Sequence, residues 1–126
     1  MAVQSLTDIG AARMVFASLG SAPVEIAAFA FLDCRHGVIA VRQSAAGHAS
    51  AVEVSLRLVA REAIALDAAG IVMAHNHPSA DARPSESDIA VTRSAAQVFG
   101  TLDVKLVDHL IVTATTMTSL RGLGLL

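Results

Sequence analysis

Apolar and polar positions alternate with two distinct periods along this chain, and the switches between them mark its elements. Thr7 to Leu19 has helical spacing, with Ile9, Ala12, Met14, Val15 and Phe16 forming an apolar stripe, Thr7 placed to cap it and Gly20 to end it. Glu25 to Asp33 is almost continuously apolar after its first residue, the pattern of a strand buried on both faces. Cys34 to Gly37 reads as a turn into a second strand, Val38 to Gln43, and His48 to Val54 reads as a third. Ser55 can cap a second helix running to about Ala69, where Gly70 stops it.

Ile71 to Ala74 follows as a short buried strand, and the polar stretch Pro78 to Pro84 as a loop. Ser85 opens a third helix through Phe99, stopped by Gly100, and Val104–Thr113 and Thr116–Leu120 close the chain as strands. The order is helix, three strands, helix, strand, helix, two strands. It predicts an α/β fold, a mixed β-sheet flanked by helices.

At 126 residues, 54% hydrophobic and 16% charged, the sequence is expected to form a single domain over 1–126 with a well-buried core. No apolar run reaches the roughly 20 residues that cross a bilayer. The first eight residues lack the basic and apolar regions of a signal peptide. One cysteine, Cys34, allows no internal disulfide, so an intracellular, cytoplasmic setting is the default expectation. The net charge is −2, the basic residues are dispersed, and there is no Trp or Tyr. Direct nucleic-acid binding is therefore not expected of this chain alone.

The chemistry concentrates in His75-Asn76-His77-Pro78, followed by Ser85 and Asp88. Side chains alternate along an extended segment, so His75 and His77 point the same way and can share a divalent ion. Asn76 points oppositely and is expected to fix the loop. Asp88, in the first turn of the third helix, is favoured as a carboxylate by the helix dipole and can supply a third ligand. Two histidines and one carboxylate leave a coordination position for water, which is the pattern of a hydrolytic zinc centre.

Such a centre needs a base. Asp81 and Glu86 lie in solvated stretches, whereas Glu25 heads an apolar strand, and Glu53 is its rival. Ser85-x-x-Asp88 also reads as a plain capping box. His109, between apolar residues, reads as a hydrogen-bonded structural histidine, while His36, His48 and Cys34 read as turn or loop residues. Met14, Met73 and the phenylalanines read as core.

His75-x-His77-Pro78, six residues, Ser85, two residues and Asp88, with an upstream glutamate, resemble the JAMM motif of the JAB/MPN metalloproteases. The segments Ala74–Ser79, Pro84–Asp88, Val107–Ile111 and Ser119–Gly122 are most similar to the RadC-like branch, and the resemblance spans roughly residues 5 to 126. It implies a three-layer fold similar to the cytidine deaminases. It also implies His75, His77 and Asp88 as zinc ligands, zinc-bound water as nucleophile, Glu25 as general acid/base and Ser85 as the oxyanion-stabilising serine. The expected activity is peptidase or isopeptidase, with a peptide or protein substrate.

Two departures stand out. RadC-like proteins usually carry a helix-hairpin-helix region that this sequence does not include, and Ser55-Leu56 stands where that branch commonly has His-Pro. A non-catalytic RadC-like binding module, working in DNA repair or another complex with a structural or vestigial metal site, is the alternative. A zinc deaminase is disfavoured, because its ligand set needs a Cys-x-x-Cys pair.

Overall fold

The computed structural model describes residues 9–44 and 55–126, apart from the side chains of residues 9, 10 and 13. The expected strand His48–Val54, the cap at Thr7 and the rival base Glu53 lie outside the described residues. Helix α1 spans Ile9–Phe16 and tightens into a 3-10 turn at Ala17–Ser21. Strands β1, Ala27–Leu32, and β2, Val38–Gln43, follow, then α2, Leu56–Ala65, and β3, Gly70–Asn76. Helix α3, Glu86–Gly100, leads to β4, Lys105–Val112, and β5, Met117–Ser119.

The five strands form one sheet in the order β2-β1-β3-β4-β5. β1 is antiparallel to both β2 and β3, β3 and β4 are parallel through the α3 crossover, and β5 returns antiparallel to β4. The expected mixed sheet flanked by helices is therefore present.

Period-two alternation sorts the central strands into two cores. On one face Ala27, Phe29, Phe31, Ile71 and Met73 pack with Val59, Ala60 and Ala63 of α2 and Ala95 and Phe99 of α3. On the other, Ala28, Ala30, Leu32, Val72 and Ala74 pack with Ala12, Phe16 and Leu19. All six residues of β1 are buried, as a strand covered on both sides requires.

Several expectations shift. The first helical stretch faces the sheet through Ala12 and Phe16, one turn apart, which leaves Met14 78% exposed instead of in the core. α2 ends at Ala65, not Ala69, because the chain turns at Asp67 with φ 52°. That early exit frees Gly70 to join β3, and the strand runs on through His75 and Asn76. β1 starts later than expected, so Glu25 precedes the strand instead of opening it. Gly20 is required where it stands: a Cβ there would lie 2.5 Å from the Thr113 carbonyl oxygen.

β4 carries the least visible feature. Ile71 pairs with Leu106 but Val72 pairs with Asp108, so one extra residue bulges from β4. A one-residue insertion reverses the facing of everything after it. Leu106 faces the α2/α3 core, and beyond the bulge His109 returns to that same face, in register with Met73.

Phe99 is fully buried where α3 meets the sheet. Phe99→Ala is expected to cost about 3–5 kcal/mol, read as a lower urea midpoint at unchanged slope. A loss under about 1 kcal/mol would mean that this core collapses into the space easily.

Candidate metal centre

The carboxyl end of β3 is where the chemistry-bearing side chains meet. His75 pairs across the sheet with Ala27 on one side and Ile111 on the other, and is only 3% exposed. His77 lies just past the strand, its backbone N–H donating to the Val112 carbonyl at 3.0 Å. The alternation that sends Ile71 and Met73 toward α3 sends His75 there too, while Asn76 faces the α1 side.

Pro84 and Ser85 then deliver Asp88. Ser85 is the N-cap of α3: its Oγ accepts from the Asp88 N–H at 3.1 Å, and Asp88 Oδ2 accepts from the Ser85 N–H at 2.8 Å. The capping box read from the sequence is thus formed, and it locks Asp88 in the first helical turn, aimed at the histidines. Asp88 Oδ1 lies 3.1 Å from His75 Nε2, and its Oδ2 lies 3.2 Å from His77 Nε2. The two Nε2 atoms are 2.9 Å apart. Burial raises the Asp88 carboxyl, while the Ser85 N–H bonded to it favours its ionised form.

These separations suit an ion. A tetrahedral centre with bonds of about 2.0–2.1 Å holds its ligand atoms about 3.3 Å apart. Three donors already gathered to nearly that spacing need little movement to close on one. Glu25 joins the group: it, His75 and His77 each present a ligand atom, all within 4.8 Å of one another. Asp88 is the nearer carboxylate to both rings and Glu25 the outer one. The structure thus brings Glu25, His75, His77 and Asp88 together at one half-open corner, and places Ser85, exposed, at its helix-side rim.

Glu25 is held there from an unexpected direction. The buried Asn76 side chain accepts from the Ile26 N–H at 2.6 Å and donates to the Ala22 and Val24 carbonyls at 3.2 and 2.8 Å. Its amide thus grips the backbone on both sides of Glu25. Asn76 was expected to fix the loop of its own segment; its side chain instead grips the lead-in to β1.

The loop after β3 supports His77. Its Nδ1 lies 2.7 Å from the Asp81 carbonyl oxygen, at a turn where Ala80 has φ 69°. Asp81 itself is solvated and paired with Arg83, which leaves it outside the donor cluster. Cys34 is exposed in the β1–β2 turn, at the end of β1 remote from Glu25.

Two buried residues behind His75 had no separate signal as members of this site. His109 Nε2 is 2.8 Å from His75 Nδ1, and His109 Nδ1 is 2.5 Å from Thr92 Oγ1. Thr92 lies four residues after Asp88, hence on the same helix face, which is the one spacing that could have pointed to it. His109 was read as a hydrogen-bonded histidine and is one, though its facing depends on the β4 bulge.

A mixed α/β sheet with a two-histidine, carboxylate corner at the end of its central strand defines a JAB-type domain. The chain belongs to the RadC-like JAB domain family, whose model matches residues 6–125. It is 43% identical over 108 residues to a UPF0758 protein of Polaromonas, an alignment covering 86% of this chain and 48% of the relative. It is 38% identical over 114 residues to a UPF0758 protein of Marinobacter nauticus, covering 90% and 51%. A UPF0758 protein of Burkholderia ambifaria is 39% identical over 105 residues, covering 82% and 41%. The chain therefore spans about half the length of the curated relatives it matches. Among the described residues no helix is long and apolar enough to cross a membrane.

The cap and the candidate ion site share Asp88, so they can be separated by changing Ser85. Ser85→Ala is expected to lower stability by about 1 kcal/mol, and Ser85→Asn, which can still cap, by only a few tenths. Equal denaturation midpoints for wild type and Ser85→Ala would show that the box contributes nothing.

Proposed function

We propose that this domain is a zinc-dependent hydrolase of peptide or isopeptide bonds. The observation that carries the reading is the convergence of His75, His77 and Asp88, their facing atoms 2.9 to 3.2 Å apart, with Glu25 at the outer edge of the same corner. His75, His77 and Asp88 would hold the ion, which when bound supplies Lewis acidity to an amide carbonyl and to a water molecule.

The chain's own residues have distinct tasks. Glu25, half-buried and gripped through its neighbours by Asn76, takes a proton on its carboxylate and delivers it to the departing amine nitrogen. The Ser85 hydroxyl sits at the rim beside Ser87 Oγ, 3.0 Å away. When Ser87 donates in that pair, the Ser85 hydrogen is free to meet the oxygen on which negative charge develops. His75 and His77 carry no proton in the reaction, because their second nitrogens are engaged behind the site. The substrate is a peptide or protein segment able to lay an amide across the corner. Hydrolysis of such a bond would make the chain a metallopeptidase.

Purified protein is expected to contain about one zinc per chain by elemental analysis, and His77→Ala much less. Negligible metal in both would sink the hydrolase and favour a binding module. Glu25→Gln should keep the zinc and lose at least a hundred-fold of any turnover of a peptide and isopeptide library. Chelator should abolish turnover in the wild type, and undiminished turnover in Glu25→Gln would remove Glu25 as the base.

A further inference from the structure

We infer that Thr92 and His109 are positioning residues: together they fix the ring tautomer of His75, so that its Nε2 lone pair faces the ion. The inference rests on the metal reading above and adds to it two residues that touch neither the ion nor a substrate.

The hydrogens of the buried chain behind His75 can be placed one by one, starting at a main-chain carbonyl. Thr92 is fully buried, and its Oγ1 lies 2.6 Å from the Asp88 carbonyl oxygen. A carbonyl oxygen has no hydrogen to give, so the single hydroxyl hydrogen of Thr92 is committed there. The 2.5 Å contact between Thr92 Oγ1 and His109 Nδ1 must then be made with Oγ1 as acceptor. His109 therefore carries a hydrogen on Nδ1.

His109 is only 2% exposed. Its ring nitrogens face the Thr92 hydroxyl and the His75 imidazole, not a carboxylate, and a buried cation without a charged partner is costly, so the ring is neutral and that hydrogen is its only one. Its Nε2 is a lone pair, 2.8 Å from His75 Nδ1. The hydrogen in that contact belongs to His75, and a neutral His75 is left with its lone pair on Nε2. His77 reaches the same state by a shorter route, since its Nδ1 faces the Asp81 carbonyl at 2.7 Å.

The unusual step is the imidazole. Histidine ligands commonly donate their second N–H to a carboxylate or carbonyl, groups that only accept and so fix the tautomer by themselves. An imidazole can donate or accept, so His109 alone would leave His75 undecided. Thr92 settles His109, and the Asp88 carbonyl settles Thr92. The relay forms a closed ring: it starts on the backbone of one ligand, Asp88, and ends on His75, whose Nε2 faces the Asp88 carboxylate at 3.1 Å. It runs through α3, β4 and β3, and it exists because the β4 bulge turns His109 to this face.

The test compares wild type, Thr92→Val, Thr92→Ser, His109→Gln and His109→Leu as full chains. Zinc affinity is read by chelator competition, and the histidine tautomers by nitrogen-15 NMR of ion-free and zinc-loaded protein. Thr92→Val keeps the shape but removes the acceptor. It is expected to shift ion-free His75 toward the Nε2–H tautomer and to weaken zinc binding about ten- to a hundred-fold, with stoichiometry unchanged. Thr92→Ser should restore both. His109→Gln, whose carbonyl oxygen can accept from His75, should stay within several-fold of wild type, and His109→Leu should not.

Wild-type tautomers and affinity in Thr92→Val would overturn the inference and leave these residues as packing alone. If Thr92→Val does not fold, the His109→Gln and His109→Leu pair decides by the same two readouts. A wild type that takes up no zinc would sink the metal reading instead, and the ion-free tautomers would then judge the relay by themselves.

Discussion

Two imidazole nitrogens and a carboxylate are crowded to about 3 Å of one another at the end of β3, and the rest of the architecture is arranged to keep them there. Electron-rich atoms so close repel unless a shared hydrogen or a cation lies among them, so the scaffold has to resist their separation. It does so by placing them on rigid elements. His75 is inside a strand with neighbours on both sides, and Asp88 is locked by a reciprocal cap in the first turn of α3. Only His77 stands on a loop, and its ring is tethered to the Asp81 carbonyl. A site built mainly on a strand and a helix holds its geometry better than one built on loops alone.

β3 serves the site with both of its faces. Ile71, Met73 and His75 face α3, so the apolar core runs up to the first histidine of the cluster. Val72 and Ala74 face α1, and the last residue of that row, Asn76, uses its side chain to grip the lead-in to β1. A buried amide is costly unless its hydrogen bonds are made, and here one acceptor and two donor bonds are formed. The result is a link between two members of the donor cluster: the strand that carries His75 also sets the backbone on which Glu25 rides.

Much of this was legible in the sequence because it is local. The His-x-His spacing, the Ser-x-x-Asp cap and the apolar runs depend on residues within one turn or a few strand positions of each other. What escaped depends on pairing between distant segments. Nothing in Val104–Thr113 announces a bulge, yet without it His109 would face the α1 side, away from His75. Thr92 looked like any polar residue on a helix, since its importance comes from a partner 17 residues away. Glu25 was identified as the candidate base but placed at the head of a strand. It stands before the strand, because β1 begins only where Ala27 can pair with His75. Met14 was assigned to the core from its place in an apolar stretch, though the face is set by Ala12 and Phe16.

The two carboxylates of the cluster are held in different ways. Asp88 accepts from the Ser85 N–H and sits at a helix N-terminus, and both favour its ionised form. A group fixed so firmly in its ionised form is suited to binding a cation and unsuited to carrying a proton, because a carrier must visit both protonation states. It also cannot swing without breaking its own cap. Glu25 stands on the irregular lead-in to β1, at the outer edge of the donor cluster, on a side chain one methylene longer. Its backbone is fixed by Asn76 while its carboxylate is not part of any cap. On the proposed hydrolase reading, Asp88 would hold the ion and Glu25 would carry the proton.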